Sequence, residues 1–145
     1  MIARSFQPRH AAYRNVKSKK VEIDGIKFAS PGEAERYLEL CIGNINGDFW
    51  FTCQPKFELQ PKFRKNGILF RPIHYIADFE ITYPDGHIEI EDVKGWGGYT
   101  TPEFKLKWKL FEFKYPAFSL VLLKRAGKVK VREALLAERE RLRKV

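Results

Sequence analysis

The sequence predicts a mixed α/β (α+β) fold in which a β-sheet is flanked by helices. Three segments carry helix signals, several short segments between the first two alternate apolar and polar residues, and Pro or Gly separates one segment from the next. The chain has 145 residues, 44% of them hydrophobic, which is enough for one domain with its own core. We therefore expect a single domain over residues 21–145, preceded by a flexible basic arm over residues 1–20.

The first elements after the arm are a hairpin and a helix. The stretch "VEIDGIKFAS" alternates around Asp24-Gly25, which is typical of a β-hairpin. Ser30 is a good helix N-cap, Pro31 suits the first helical position, and Glu33 stands where a capping-box acid would. Apolar residues then recur at helical spacing as far as Ile45.

The rest of the domain is predicted as strands and two further helices. The turn Pro84-Asp85-Gly86 should fold one strand back beside the next, and Thr101 should cap a helix. The segments in order are β-rich "FWFTCQPKFELQPKF" (49–63) and "ILFRPIHYIADFEITYP" (68–84), a strand "HIEIEDVKG" (87–95), a helix "TPEFKLKWKLFEFKYP" (101–116), a buried strand "AFSLVLLKR" (117–125) and an amphipathic helix "VREALLAERERLRKV" (131–145).

Charge divides the chain into an acidic centre between two basic flanks. Residues 1–20 carry six basic and no acidic residues, residues 21–93 carry seven basic and 13 acidic, and residues 94–145 carry 14 basic and five acidic. Such a distribution suits a protein that binds a polyanion while keeping carboxylates near it, so nucleic acid is the expected partner. The candidate phosphate contacts are Arg4, Arg9, Arg14, Lys17, Lys19 and Lys20 in the arm and Lys105, Lys107 and Lys109 in the second helix.

Two acids and a lysine lie at strand ends where burial is expected. Side chains alternate along a strand, so Asp92 and Lys94 share the face of the apolar Ile90, whereas Glu91 faces the other way. The predicted hairpin turn brings Asp78 close to Asp92. A buried carboxylate must be paired or coordinate a metal. The alternatives at this point are a metal site and a structural ion pair of Asp92 with Lys94 or an adjacent basic residue.

These residues resemble the core of the PD-(D/E)xK nuclease superfamily. In that superfamily an acid opens one strand and an acid-x-lysine unit closes the next, as do Asp78 and Asp92-Val93-Lys94 here, although Ala77 stands where the motif has proline. Over residues 24–116, the ordered segments "SPGEAERY", "QPKFELQPKF", "RPIHYIADFEI", "EDVKG" and "TPEFKLKWKLFEFKYP" resemble small phage-encoded nucleases related to Holliday junction resolvases of the archaeal type.

The resemblance implies a restriction-endonuclease-like fold and a metal-dependent active site. It implies that Mg²⁺, or Mn²⁺ in its place, is held by the carboxylates of Asp78 and Asp92 and by the Val93 carbonyl, and that Lys94 orients or activates water. The family's additional carboxylate corresponds to Glu33, which could instead be only a helix cap, or both. On this interpretation Glu35 and Glu39 lie on the solvent side of the helix.

Other polar residues near the motif are expected to be structural or solvated. Glu91 is expected to be a structural acid behind the site and Glu80 an exposed strand residue. His74 and His87 have neither ligand spacing nor a paired nucleophile, and Gln54 is interpreted as a strand-end polar residue.

The expected function is that of a Mg²⁺-dependent endodeoxyribonuclease that cleaves four-way junctions in DNA recombination or repair. The alternatives are a nuclease of the same superfamily for another DNA structure, with nicking or restriction-like activity, and an inactive DNA-binding protein on the same fold.

Two further expectations concern assembly and location. Paired cuts imply a homodimer, for which Phe49-Trp50-Phe51 and a stripe of Leu135, Leu136 and Leu142 are candidate interface surfaces unless they fill the core. The sequence shows neither the long apolar stretch of a membrane span nor the apolar run of a signal peptide. We therefore expect no membrane partner and a cytoplasmic location, in the host cell if the protein is phage-encoded.

Overall fold

A computed structural model describes residues 19–95 and 100–144 and confirms the mixed α+β fold. The helices in the described residues are α1 (Pro31–Ile45), α2 (Pro102–Lys114) and α3 (Val129–Arg143). The strands are β1 (Val21–Ile23), β2 (Ile26–Phe28), β3 (Trp50–Cys53), β4 (Lys56–Gln60), β5 (Phe63–Lys65), β6 (Ile68–Phe70), β7 (Ile73–Ile76), β8 (Phe79–Thr82), β9 (Ile88–Lys94) and β10 (Ser119–Lys124).

The central sheet has four strands in the order β10-β9-β8-β3 and is mixed. β8 and β9 are antiparallel around the predicted Pro84-Asp85-Gly86 turn, in which the Gly86 N–H donates to the Tyr83 carbonyl at 2.9 Å. β10 runs parallel to β9, and α2 forms the crossover between them. A helical crossover is the usual way to join parallel neighbours.

Helices cover both faces of this sheet. On one face, Phe79, Ile81 and Val93 pack with α1, and partly buried leucines of α3 pack against the same cluster. On the other face, Ile90 packs with Tyr75 and with Phe111 of α2. Because both faces are covered, alternate side chains of β9 are buried on opposite sides of the strand, and this holds for its acids as well: Glu91 is 2% exposed and Asp92 is 7% exposed.

The predicted hairpin and helix starts are confirmed at atomic detail. Asp24 and Gly25 both have positive φ between β1 and β2, as a tight hairpin turn requires. The Ser30 hydroxyl accepts from the Glu33 N–H at 3.2 Å, and the Thr101 hydroxyl accepts from the Phe104 N–H at 3.0 Å. Both helices therefore start at side chains that satisfy free backbone donors.

Two predicted elements differ from the structure. The segment 117–125 was expected to form a buried strand, but β10 is an edge strand of the sheet and is only half-buried along most of its length. The last helix begins at Val129, two residues before the predicted start. Its N-cap is Lys128, which makes no side-chain cap, so no capping residue marks this start in the sequence.

The two β-rich segments form one long antiparallel hairpin interrupted twice. β3 pairs with β8, β4 with β7, and β5 with β6, so the chain runs out along three strands and returns along three. At the first interruption Gln54 has φ +53° and its N–H donates to the Asp78 carbonyl at 2.8 Å. This interruption between the two strand pairs lies at Asp78, beside the predicted site.

The aromatic and leucine residues named as candidate interface are used mostly in the core. Phe49, Phe51, Leu135 and Leu136 pack against the cluster between α1 and the sheet, whereas Trp50 is exposed. None of the helices in the described part of the chain is both long enough and apolar enough to span a bilayer.

Candidate active site

The register of the central hairpin brings Asp78 and Asp92 together, as the sequence predicted. Phe79 pairs with Glu91 across β8 and β9, so Asp78 lies across from Asp92 one step further along. The Asp78 N–H donates to the Glu91 carbonyl at 3.0 Å, and the Asp78 Oδ2 accepts from the Val93 N–H at 2.6 Å. The backbone around Asp92 therefore fixes the position of the Asp78 carboxylate.

Asp92 is buried and held from two sides. Its Oδ2 accepts a hydrogen bond from the Tyr75 hydroxyl at 2.5 Å, and its Oδ1 lies 2.9 Å from the Lys94 ammonium. The ion pair that the sequence left as an alternative is thus present. Together the two contacts offset the burial of this carboxylate.

Lys94 is anchored as well as paired. Its Nζ lies 3.6 Å from the centroid of the Phe104 ring in α2, a cation–π contact. The ammonium is held between a carboxylate and an aromatic face, where fewer water molecules compete for it. It can therefore offer its remaining protons to a molecule in the adjoining cavity.

Glu33 is both a helix cap and a lining residue of that cavity. Its Oε2 accepts from the Ala29 N–H at 3.2 Å and its Oε1 from the Ser30 hydroxyl at 3.3 Å, which completes the predicted capping box in a modified form. Burial, and to a smaller degree the charge of Asp92, raise the pKa of Glu33. The two roles that the sequence left open for Glu33 are geometrically compatible.

A single cavity of about 410 Å³ collects the predicted residues. It is lined by the predicted Glu33, Asp78, Asp92, Val93 and Lys94, and also by His74, Tyr75, Ile76, Thr101, Glu103, Phe104 and Lys107. The carboxylates come from the N-terminus of α1 and from two adjacent strands, and the first turn of α2 closes the other side.

The clustered carboxylates repel one another. Burial, the Glu33 charge and the Asp92 charge raise the pKa of Asp78 to about 8, against the opposing effects of the Val93 N–H and Lys94. In residues 19–95 and 100–144, no group of three or more His, Cys, Asp or Glu side chains is arranged as a ready-made metal site. Two carboxylates with carbonyl and water oxygens nonetheless fit Mg²⁺, which typically binds through one or two carboxylates and keeps several waters.

We predict that Asp78→Asn stabilises the metal-free protein, by about 1–3 kcal/mol at pH 8. The folded state holds the Asp78 proton up to about pH 8, whereas the unfolded state releases it near the model value of 3.8. Wild-type stability should therefore fall as pH rises from about 4 to 8, and the asparagine variant should not share this fall. Thermal melts from pH 5 to 8.5 in EDTA measure it, and equal melting curves for the two proteins at pH 8 would contradict it.

Three other acids close to the motif in the sequence or on α1 do not line the cavity: Glu91, Glu35 and Glu39. Glu91 faces away from the cavity, as predicted, and is bound by Arg36 of α1 at 2.8 and 2.6 Å. The expectation that Glu35 lies on the solvent side is wrong: it is buried, 3.1 Å from the Arg125 guanidinium, because α3 and the loop before it cover that side of α1. Glu39 is only partly exposed and pairs with both arginines.

The remaining polar candidates divide between cavity and surface. His74 lines the cavity, although its sequence context gave no reason to select it, whereas His87 pairs with Asp85 at the exposed turn. Gln54 is exposed, and its amide donates to the Lys27 carbonyl at 3.3 Å. Glu80 is half-buried rather than exposed, with the Thr52 hydroxyl at 3.4 Å.

The three lysines of α2 that were predicted as phosphate contacts do not share a face. Lys107 lines the cavity and pairs with Glu103 at 3.1 Å. Lys105 and Lys109 flank a separate depression beside Trp108, because residues two apart in a helix point in nearly opposite directions. Lys19 and Lys20 are exposed just before β1. The other predicted arm contacts, Arg4, Arg9, Arg14 and Lys17, lie outside the described residues.

Sequence reasoning missed the residues that support the motif. Tyr75 holds Asp92, and Phe104 lies under Lys94. From the sequence alone, each would be predicted to be an ordinary aromatic residue of the core. Strand alternation gave no signal for Tyr75, because an unbroken strand would place Tyr75 and Asp78, three residues apart, on opposite faces. Tyr75, Ala77 and Phe104 are buried in one cluster.

Comparisons with known proteins place the chain in a family. Searches of curated proteins and of solved structures each found no match. The family model described as "Protein of unknown function (DUF1064)" matches residues 13–131, which include every lining residue of the cavity. Since the match covers most of the chain, the protein belongs to the DUF1064 family.

Proposed function

We propose that the protein is a divalent-metal-dependent endodeoxyribonuclease of the PD-(D/E)xK superfamily that cleaves four-way DNA junctions by phosphodiester hydrolysis. The supporting observation is the convergence of Asp78, Asp92 and Lys94 in one cavity, with two carboxylates and an ammonium at adjacent strand ends. A role in DNA recombination or repair follows from that substrate.

The oxygen donors suit Mg²⁺, with Mn²⁺ able to substitute. Asp78 and Asp92 would hold the ion with the Val93 carbonyl, and Glu33 lies within electrostatic range of both aspartates. A bound divalent ion would neutralise the attacked phosphate and lower the pKa of a water molecule.

The chain's own groups orient the reactants. The Val93 N–H holds one oxygen of Asp78, and the Tyr75 hydroxyl holds one oxygen of Asp92. The other oxygen of each carboxylate would then be the one that binds the metal ion. Lys94, fixed by Asp92 and Phe104, donates to the attacking water or to a phosphate oxygen as negative charge develops there. Glu33, which lines the same cavity, would accept a hydrogen bond from that water.

Basic residues around the cavity would hold the DNA backbone. Lys107 is the predicted phosphate contact that lies at the cavity itself. Lys105 and Lys109 face another direction and would contact phosphates further from the cut, as would the basic arm over residues 1–20.

Two chains are proposed to act on one junction. A four-way junction must be cut on two strands, and the described residues provide one Asp78, Asp92 and Lys94 set per chain. A two-fold homodimer would present two such sites to the DNA.

Two other functions are compatible with the same cavity. A nuclease for a different DNA structure would use the same residues. An inactive DNA-binding protein would keep the basic surface without needing Asp92 and Lys94 held in place by Tyr75 and Phe104. The intact arrangement favours an enzyme.

The test is cleavage of a four-way junction and of a linear duplex of matched sequence, each in Mg²⁺ and in EDTA. We expect paired cuts near the branch in Mg²⁺, no cuts in EDTA, and at least about tenfold slower cutting of the duplex. Equal cutting of both substrates would favour a nuclease for another DNA structure. Binding of both without any cutting in Mg²⁺ or Mn²⁺ would favour the inactive DNA-binding protein.

A further inference from the structure

The long antiparallel hairpin ends in a short ribbon that projects beyond the domain core. This segment, residues 61–72, is called the tip hairpin here and consists of β5, β6 and the Asn66-Gly67 turn between Pro61 and Pro72. Asn66 has φ +53° and Gly67 φ +76°, which is the geometry of a tight two-residue turn whose twist matches the strands. The Phe63 and Phe70 rings stack across it at 4.8 Å. The tip hairpin is therefore ordered by its own turn and cross-strand pair.

Every residue of the tip hairpin is exposed, including its large apolar side chains. Ile68 is 57% exposed and Leu69 48%, and both stacked phenylalanines are exposed as well. Contiguous exposed apolar residues on a monomer mark an interaction surface or a risk of aggregation. The tip hairpin concentrates such side chains in one short segment, which favours an interaction surface.

The tip hairpin is also strongly basic. It carries Lys62, Arg64, Lys65 and Arg71 and no acidic residue, although the surrounding residues 21–93 are acidic in total. None of the four forms an ion pair with an acid in the described part of the chain. The strand register places Arg64 opposite Leu69 and Lys65 opposite Ile68, so each face of the ribbon presents a cation beside an aliphatic side chain.

A second cavity lies between the foot of the tip hairpin and the cavity that holds the carboxylates. This second cavity is lined by Pro72 at the foot of the ribbon, by Ile73, and by Leu106 and Leu110 of α2. It shares His74, Glu103 and Lys107 with the cavity that contains Asp78 and Asp92. A polyanion lying across both cavities would extend from the candidate active site to the foot of the tip hairpin.

We propose that the tip hairpin enters the major groove of duplex DNA next to the phosphate that is cut. This inference rests on the proposed function. It adds the way in which the protein holds one duplex arm of the four-way junction. The major groove, about 12 Å wide, admits a two-stranded ribbon, and aliphatic side chains can contact thymine methyl groups there while Lys and Arg reach phosphates or guanine edges. A second copy of the chain is the less suitable partner, because pairing two tip hairpins would bring eight positive charges together without a compensating acid.

Two variants of the tip hairpin and one control test the inference without requiring cleavage. Arg64→Ala with Lys65→Ala removes charge, and Ile68→Ser with Leu69→Ser removes apolar contact. The control, Lys130→Ala with Lys144→Ala, removes two exposed charges, one in α3 and one at the residue after it, and neither residue lines either cavity. Binding of a four-way junction and of a duplex is measured in EDTA over a range of salt concentrations. Methylation of guanine N7 by dimethyl sulfate reports on the major groove.

We expect the charge variant to bind at least tenfold more weakly, with a salt slope flatter by about two, as for two lost phosphate contacts. The apolar variant should bind about five- to tenfold more weakly at an unchanged slope, and the control should stay within about twofold of wild type. Wild type should protect guanine N7 next to the branch, and both tip variants should lose that protection. Because these side chains are exposed, melting temperatures should be unchanged.

Three outcomes would overturn the inference. If wild type binds and cleaves DNA while both tip variants match the control, the tip hairpin does not contact DNA and the proposed function stands. If the tip variants halve the mass seen by light scattering without weakening DNA binding, the partner is a second copy. If wild type binds neither DNA, both the inference and the proposed function fail.

Discussion

Asp92→Asn should reduce the single-turnover rate of junction cleavage in Mg²⁺ by about 1000-fold or more. The substitution removes the charge of a carboxylate expected to hold the metal ion, whose stabilisation of the transition state is worth several kcal/mol. The asparagine oxygen can still accept from the Tyr75 hydroxyl, so the fold should be retained. Rates measured with protein in excess over labelled junction separate this chemical step from binding.

The adjacent acid provides the matched control. Glu91→Gln makes the same chemical change one residue away, but that side chain faces Arg36 instead of the cavity. Its rate of junction cleavage should stay within about fivefold of the wild-type rate when it is assayed well below its melting temperature. Loss of cleavage in both variants alike would mean that the rate reports the stability of β9, and near-normal cleavage by Asp92→Asn would remove Asp92 from the chemistry.

Of the variants discussed, Arg36→Met should lower the free energy of unfolding most, by about 3 kcal/mol. It leaves Glu91, which is 2% exposed, without its bidentate partner. The expected value is at the low end of the range for buried pairs because the Arg36 side chain itself retains 21% of its exposure. Urea unfolding at pH 7.5 measures the change in the free energy of unfolding.

Two further variants show whether the unpaired charge causes this loss. Adding Glu91→Met to Arg36→Met removes the buried charge and should recover more than half of the stability. Arg141→Met breaks a pair of similar geometry on α3 that lies in solvent, and it should leave the urea midpoint nearly unchanged. A double variant no more stable than Arg36→Met would assign the loss to packing around α1.

The sequence could predict those parts of the site that follow from local rules. Strand alternation separated Asp92 and Lys94 from Glu91, and the Pro84-Asp85-Gly86 turn brought Asp78 beside them. Capping residues located the starts of α1 and α2. Each of these predictions depended on residues within about 15 positions of one another.

What the sequence could not show depends on contacts between different elements that no turn or capping signal relates. Glu35 is buried by Arg125, 90 residues further along, and no spacing rule connects the two. Tyr75 supports Asp92 across the sheet, and Phe104 supports Lys94 from α2, yet both resemble core aromatics in the sequence. The tip hairpin was divided between two predicted β-rich segments, because its Asn-Gly turn signal lay in the gap between them.

Asp78 and Asp92 are proposed to hold a divalent ion together. Electron paramagnetic resonance of Mn²⁺ titrated into the protein bound to a four-way junction measures this directly, because bound and free Mn²⁺ give different signals and the titration counts bound ions per chain. In the wild-type complex we predict at least one bound Mn²⁺ per chain, and Mg²⁺ should displace it. The Asp78→Asn and Asp92→Asn complexes should lack this ion. The same number of bound ions in all three complexes would contradict the claim.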